Sequence, residues 1–343
     1  MEGLIAYLIS FAIFSAIWAI FALGLNVHWG YTGIFNFGVA GFFAVGAYTS
    51  AILTTEPAAG GTYQHYIAGY SLPFVVGLAA AALASGALAI LIGIPTLRLR
   101  EDYLAIATIG VAETLRRVAM NEDWLVNGTR GMIGIPAPLF DLVDPKDYNR
   151  LYLVIALVVL AIVYVAIERG IRSPWGRVLR AIREDETTAA ASGKSVTAFR
   201  MQAFVFGAMI MGIGGAMYAH YIRAVSPDTF EPLFGTFIIW AMLIVGGSGN
   251  NKGAIVGAFV VWGIWTGTGE MAQRMPGFFE VRVHYFRLLF VGLLIVGALL
   301  LRPQGILPEE RRVSLFVGRK EKAEAREAKP PGQSTVDPRD EDG

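Results

Sequence analysis

The chain contains no cysteine. Disulfide staples, thiolate metal centres and cysteine nucleophiles are therefore excluded. Charge is also scarce. Asp, Glu, Lys and Arg make up 16% of the 343 residues, against about a quarter in ordinary soluble domains. The shortage is sharpest near the start, where Glu56 is the single formally charged side chain between Glu2 and Arg98. A soluble fold of this length needs far more polar surface. Histidine is scarce too: His28, His65, His220 and His284 are scattered, without an HExxH pair. The string GGSGNNKG at 246–253 lacks the order of a phosphate loop and has no strand before it. No catalytic constellation is visible, so the chain reads as no enzyme, with no metal site. The net charge of +1 is segregated into loops and offers no footing for nucleic acid.

Apolar sequence is what abounds: 55% of residues are hydrophobic and mean hydropathy is +0.54. A span needs about 20 apolar residues to cross roughly 30 Å of hydrocarbon. Suitable runs lie at about 4–25, 34–54, 72–95, 103–120, 151–167, 201–222, 235–249, 253–268 and 286–301. The fold class is thus an all-α polytopic membrane protein with about eight to ten transmembrane helices. The runs 235–249 and 253–268 read either as two spans or as one re-entrant pair. Broken helices of that kind are tolerated only within a bundle or beside a water-filled path. The first run lacks a basic flank and a cleavage signature, so it reads as a retained span. Glycines at 30, 33, 38, 41 and 46, and at 207, 212, 214 and 215, let helices approach closely.

The stretch 168–200 interrupts this pattern with seven basic residues: Arg169, Arg172, Arg177, Arg180, Arg183, Lys194 and Arg200. Burying all seven at the bilayer centre would cost about 20 kcal/mol, so the stretch lies outside the membrane. The loop 55–71 has no Lys or Arg, and 121–150 has three against five acids. The positive-inside rule then puts 96–102, 168–200 and the C-terminal tail in the cytoplasm and the N-terminus outside. Residues 1–303 read as one membrane domain. Residues 304–343 read as a charged cytoplasmic tail, largely disordered, because the tail has too few apolar residues to offset its ordering entropy.

Within 168–200, Ser173-Pro174 stops one helix and Gly176 frees the backbone. Val178, Leu179 and Ile182 share one helical face, while Arg177, Arg180, Arg183 and Glu184 take the other. Ala189 to Ala191 continue the helix and Gly193 ends it. Such a short helix is not stable alone and needs something to dock on. Glu184, Asp185 and Glu186 would be repelled by anionic lipid, which favours a protein partner over a membrane surface.

The run Glu186-Thr-Thr-Ala189-Ala-Ala-Ser-Gly193 resembles the coupling loop of ABC importer permeases. The stretches 24–48, 97–136 and 176–221, with Arg302-Pro303-Gln304-Gly305, resemble the permease subunits of branched-chain amino acid ABC importers over roughly residues 20–310. The pattern departs from that family at Ile34 and Val39, where a Gln and a His are frequent, and at Glu101, where Gly is common.

The resemblance implies import of leucine, isoleucine or valine, with ATP hydrolysed by partner subunits and no cofactor bound by this chain. It implies a second homologous permease, two cytoplasmic ATPases, an extracytoplasmic substrate-binding protein and surrounding membrane lipid as partners. Arg177, Arg180, Arg183, Glu184 and Glu186 would form the ATPase interface, with Gly176 and Gly193 setting its geometry. Asn36, Thr108 and Glu113 are nominated for the substrate pathway. The simpler reading of Asn36 and Thr108 is as helix-packing polar groups, and of Glu113 as an ion-pair partner of Arg116 and Arg117. The alternatives are a permease for urea, short amides or other amino acids and, less favoured, a secondary transporter with Glu113 as its coupling carboxylate.

Overall fold

The computed structural model describes residues 2–57, 66, 69–273, 283–302 and 304–309. The tail from 310 onward, including the disorder expected of it, lies outside the described residues. Every apolar run named above contains a helix. Helix α1, Glu2–Leu25, continues through a π turn at Asn26–Gly30. It is followed by α2, Val39–Thr54, α3, Phe74–Thr96, and α4, Glu101–Asn121. A short α5, Asp123–Val126, and a two-residue strand β1, Met132–Ile133, precede α6, Tyr148–Arg172. Helices α7, Pro174–Glu184, and α8, Glu186–Ala191, lead into α9, Val196–Ile222. Strand β2, Ala224–Val225, then α10, Ile238–Gly246, α11, Asn251–Gln273, and α12, Val283–Leu301, complete the order.

Four described stretches are long and apolar enough to cross a bilayer: Gly3–Gly30, Phe74–Thr96, Tyr148–Arg172 and Val196–Ile222. Two shorter apolar helices, Val39–Thr54 and Phe234–Gly246, accompany them. Local chemistry sets the ends. Glu101 and Asp102 occupy the first turn of α4, and Arg169 and Arg172 the last turn of α6, each matched to the helix dipole. Pro174 stands in the first turn of α7, where its missing N–H costs nothing.

Helix α9 packs most extensively on α2 and α3, and α1 packs on α11, α9 and α6. Trp18, Phe21, Phe42, Phe43, Phe204 and Phe230 are fully buried in this core. Small residues permit the closest crossings. A Cβ on Gly46 would overlap the Gly212 backbone, and one on Gly215 would overlap the Phe43 carbonyl.

Two ends of the bundle are defined by what the loops touch. At one end β1 pairs antiparallel with β2, Tyr66 bridges Val126, and His220 Nδ1 lies 2.8 Å from the Pro136 carbonyl. At the other, Asn251 Nδ2 donates to Glu168 at 2.8 Å and Asn250 Nδ2 donates to the Pro308 carbonyl at 2.9 Å. The basic stretch sits at this second end.

Three boundaries differ from the sequence reading. The second span starts at Val39 instead of 34, because 33–38 is irregular backbone held inside the bundle. The fifth span runs to Arg172, its last turn held by the Arg172–Glu168 pair at 2.6 Å. The open pair 235–268 becomes the short apolar helix Phe234–Gly246, whose α part is the nine-residue α10, about 14 Å long, turning at 247–250 into the 23-residue α11. Helix α10 alone is too short to cross.

Candidate functional site

The basic projection is built from two helices, not one. Asp185, in extended backbone, ends α7 and starts α8. Its carboxylate accepts from the Thr187 and Thr188 amides at 2.8 and 3.0 Å and from both threonine hydroxyls. A short acidic side chain competes for backbone donors in this way, which is why the expected single helix breaks here. The same bonds hold the Asp185 carboxyl down to about 2. A depressed carboxylate stabilises fully above its unfolded value and loses that contribution progressively as pH falls from there through about 2. The cap is therefore intact across physiological pH. Asp185→Ala is expected to speed amide exchange in 186–193 without changing exchange in α9, and Asp185→Asn is expected to restore part of the protection.

The apolar stripe predicted to need a partner finds one within the chain. Leu179 is fully buried, and Ile182 packs with Ala189, Val196, Val178 and Phe199. The projection is consequently self-supporting. Gly176 is buried with its α-carbon against the Ile171 carbonyl, leaving no room for a Cβ. Gly193 sits at φ +77° in open space and reverses the chain toward α9.

The charged candidates divide. Arg177 and Glu184 are exposed and Arg180 half-exposed. Glu186 pairs with Arg200 at 3.1 Å. Arg183 turns inward: one guanidinium nitrogen donates to the Gly30 carbonyl and another to Glu309 Oε2 at 2.7 Å.

A second constellation lies where α1 gives way to α2. The irregular stretch 33–38 has its backbone groups satisfied almost one by one. Gly33 and Ile34 donate to the Trp29 and His28 carbonyls, at 3.0 and 2.8 Å. The Phe37 amide donates to Thr108 Oγ1 at 3.0 Å and the Gly38 amide to Asn36 Oδ1 at 2.8 Å. Trp240 Nε1 donates to the Asn36 carbonyl at 3.0 Å and stacks on Phe37. Asn36 Nδ2 donates to His28 Nδ1 at 3.1 Å, which leaves the ring proton on Nε2, 2.8 Å from the Phe204 carbonyl. Asn36 and Thr108, two of the three pathway candidates, thus meet at one buried point. They also share a cavity of about 10 Å3 with Gly38, Gly41, Phe42 and Ile92. That is room for about one water, far below a small-molecule pocket.

Glu113 lies further along α4 and is held by Arg116 at 2.9 Å and Arg117 at 2.7 Å. At the end opposite the basic projection, a groove of about 960 Å3 is lined by Glu56, Phe74, Pro136, Ile155, His220 and Arg223, among others. No group of metal-ligating side chains occurs among the described residues. Sequence reasoning did not single out Asn26, Glu168, Asn251 or Glu309. Asn26 Nδ2 donates to Asn251 Oδ1 at 3.0 Å, and the Gly249 amide donates to Asn26 Oδ1 at 2.8 Å. Partners more than two hundred residues apart leave no local pattern to find.

Asn36→Leu is expected to strand the Gly38 amide and the His28 ring, at about 1–3 kcal/mol for each buried unpaired group. The readout is a lowered thermal midpoint of the detergent-purified chain, with Asn36→Asp as the polar comparison.

A family profile described as branched-chain amino acid transport system, permease component, matches residues 7–299. The chain belongs to this permease family. The permease is similar to the high-affinity branched-chain amino acid transport system permease protein LivM of Salmonella typhimurium. Identity there is 32% over 325 residues, covering 88% of this chain and 70% of that one. LivM of Escherichia coli K12 shows the same identity and coverage. The probable LivM of Methanocaldococcus jannaschii is 29% identical, over 85% of this permease and 90% of its own length. No solved structure matches the permease.

Proposed function

We propose that this chain is the membrane-spanning subunit of an ABC importer that moves leucine, isoleucine and valine across the cytoplasmic membrane. It works with a second, homologous permease, two cytoplasmic ATPases and an extracytoplasmic binding protein, and binds no ATP itself. Its N-terminus faces outward and its C-terminus inward. The observation that carries the reading is the braced, two-helix basic projection in a chain of this family. A lever must be stiff to transmit force, and this one is packed and capped within its own chain. Arg177, Arg180 and Glu184 form the face turned to the ATPase, while Gly176, Gly193 and the Glu186–Arg200 pair fix its shape. Asn36 and Thr108, which share the small cavity, mark the pathway together with Glu113 further along α4. The permease domain proper runs to residue 309, six residues beyond the sequence reading, since 304–309 is hydrogen-bonded to α10, and the charged tail after it is an appendage.

ATP and the loaded binding protein then bias one equilibrium between inward-open and outward-open forms. The tagged chain, isolated from its native membrane, is expected to bring two ATPases and a second permease with it. Vesicles holding that complex are expected to take up leucine only with ATP inside and binding protein outside. Uptake of urea or a short amide in place of leucine would reassign the substrate. Uptake driven by a proton or sodium gradient without ATPase would sink the importer reading.

A further inference from the structure

A coupling loop moves a pathway only if it is fastened to it. Besides the packing of α7 on α6 and α9, one side chain fastens it further: Arg183, which reaches both the end of α1 and the segment beyond α12. One nitrogen donates to the carbonyl of Gly30, the last residue of the π turn that opens the α1–α2 break. Another donates to Glu309 Oε2 at 2.7 Å. The arginine stem lies against Gly33, with Cγ 3.2 Å from where a glycine Cβ would stand. About three-quarters of the Arg183 side chain and two-thirds of that of Glu309 are shielded.

Glu309 ends a strap, 304–309, that is itself tied down. The Ile306 and Leu307 amides donate to the Val245 and Gly246 carbonyls at 2.9 and 3.0 Å. The Pro308 carbonyl accepts from Asn250 at 2.9 Å. Gly305, at φ +73°, lies so close to Gly247 that no Cβ would fit. This gives Gly305, the last residue of the motif noted in the sequence, a local purpose: it lets the chain after α12 lie on the α10–α11 corner. The same corner supplies the Gly249 amide to Asn26, one turn before Gly30. The projection, the α1–α2 break and the α10–α11 corner therefore converge on one guanidinium.

We propose that Arg183 is the transmission joint of this permease and that the strap 304–309 is part of the coupling machinery. When the projection is displaced, Arg183 carries the motion to the Gly30 carbonyl and, through Glu309, to the α10–α11 corner. Both elements flank the hub of Asn36 and Trp240. Arg183 is a positioning residue here and touches neither substrate nor nucleotide.

The proposal rests on the importer reading and is tested in the assembled complex, reconstituted in lipid vesicles with its ATPases and binding protein. The readouts are ATPase stoichiometry on copurification, the ratio of stimulated to basal ATP hydrolysis, and substrate moved per ATP. Glu309→Gln is expected to keep the ATPases bound while lowering that ratio and the transport yield by about fivefold or more. Arg183→Ala is expected to lower both further, and Arg183→Ala with Glu309→Ala to be no worse than Arg183→Ala alone, since the two act as one unit. Glu309→Gln carries the test where Arg183→Ala fails to insert. Wild-type ratios in both single variants would overturn the proposal. So would loss of the ATPases from the Arg183→Ala complex with Glu309→Gln unaffected; that result would make Arg183 a direct docking residue and leave the importer reading standing. A wild-type complex without ATPase or ATP-dependent uptake overturns the importer reading and the joint with it.

Discussion

Reversing the two outward arginines, Arg177→Glu with Arg180→Glu, is expected to abolish uptake while leaving the protein inserted and folded. These side chains project from the braced helix α7 and are not hydrogen-bonded into the body as Arg183 is. Their replacement leaves the helix seated, because it is held by Leu179 and Ile182 on its other face. On the proposed reading, what changes is the sign of charge offered to an ATPase surface complementary to these arginines. Like charges brought face to face cost several kcal/mol, and each 1.4 kcal/mol is tenfold in binding. A loss of about a hundredfold or more in ATPase affinity follows. The check is copurification of the ATPases together with ATP-dependent uptake in membrane vesicles, against an unchanged amount of permease in the membrane fraction. ATPase recruitment and uptake at wild-type levels would show that this face is not the docking surface.

Gly46→Val is expected to fail earlier, at folding. Helices α2 and α9 cross with Gly46 against the Gly212 backbone, so the new side chain meets main chain that has no rotamer to yield. Overpacking that neighbours can absorb costs about 1–3 kcal/mol. Here two helices must separate, and the same helices carry Phe42, Phe43 and Phe204 of the core. Against a total stability of about 5–15 kcal/mol, the variant is expected to be almost absent from the membrane fraction. Gly110→Ala makes the contrast. A Cβ there meets nothing within 4 Å, and alanine is the better helix former by about 1 kcal/mol. That variant is expected to accumulate normally. Equal levels of the two proteins would contradict the crossing geometry.

The helices were legible because hydrophobic length is a one-dimensional signal: nine apolar runs coincide with nine helices among the described residues, and four described stretches are long and apolar enough to cross a bilayer. The basic projection was legible for the converse reason, its charge. The Glu113 ion pairs follow from i, i+3 and i, i+4 spacing on one helix. What hid was everything decided across the bundle. Asp185 reads as one more acid in a row of three, yet its contacts with Thr187 and Thr188 split the helix. Arg183 shares a helical face with Arg177 and Arg180 in sequence, but Gly30 and Glu309 take it out of that set. The apolar stripe of α7 was visible, while the identity of its cover, Ala189, Val196 and Phe199, was not. The backbone of 33–38 could leave helical geometry because Thr108, Trp240 and Asn36 supply its partners, and nothing local announces partners seventy or two hundred positions away.

Helix α4 is not among the described stretches apolar enough to cross a bilayer by themselves, and it carries Glu113, Arg116 and Arg117. Such a segment is a poor client for the insertion machinery by itself, since each isolated charge at mid-membrane costs about 2.5–3.5 kcal/mol. Its ion pairs close within the segment, so part of the penalty is cancelled before any neighbour arrives. The remainder falls to α2 and α3, which emerge from the ribosome first and against which α4 packs. The order of synthesis therefore suits the order of need: the apolar hairpin is laid into the lipid, and the charged helix enters as its passenger.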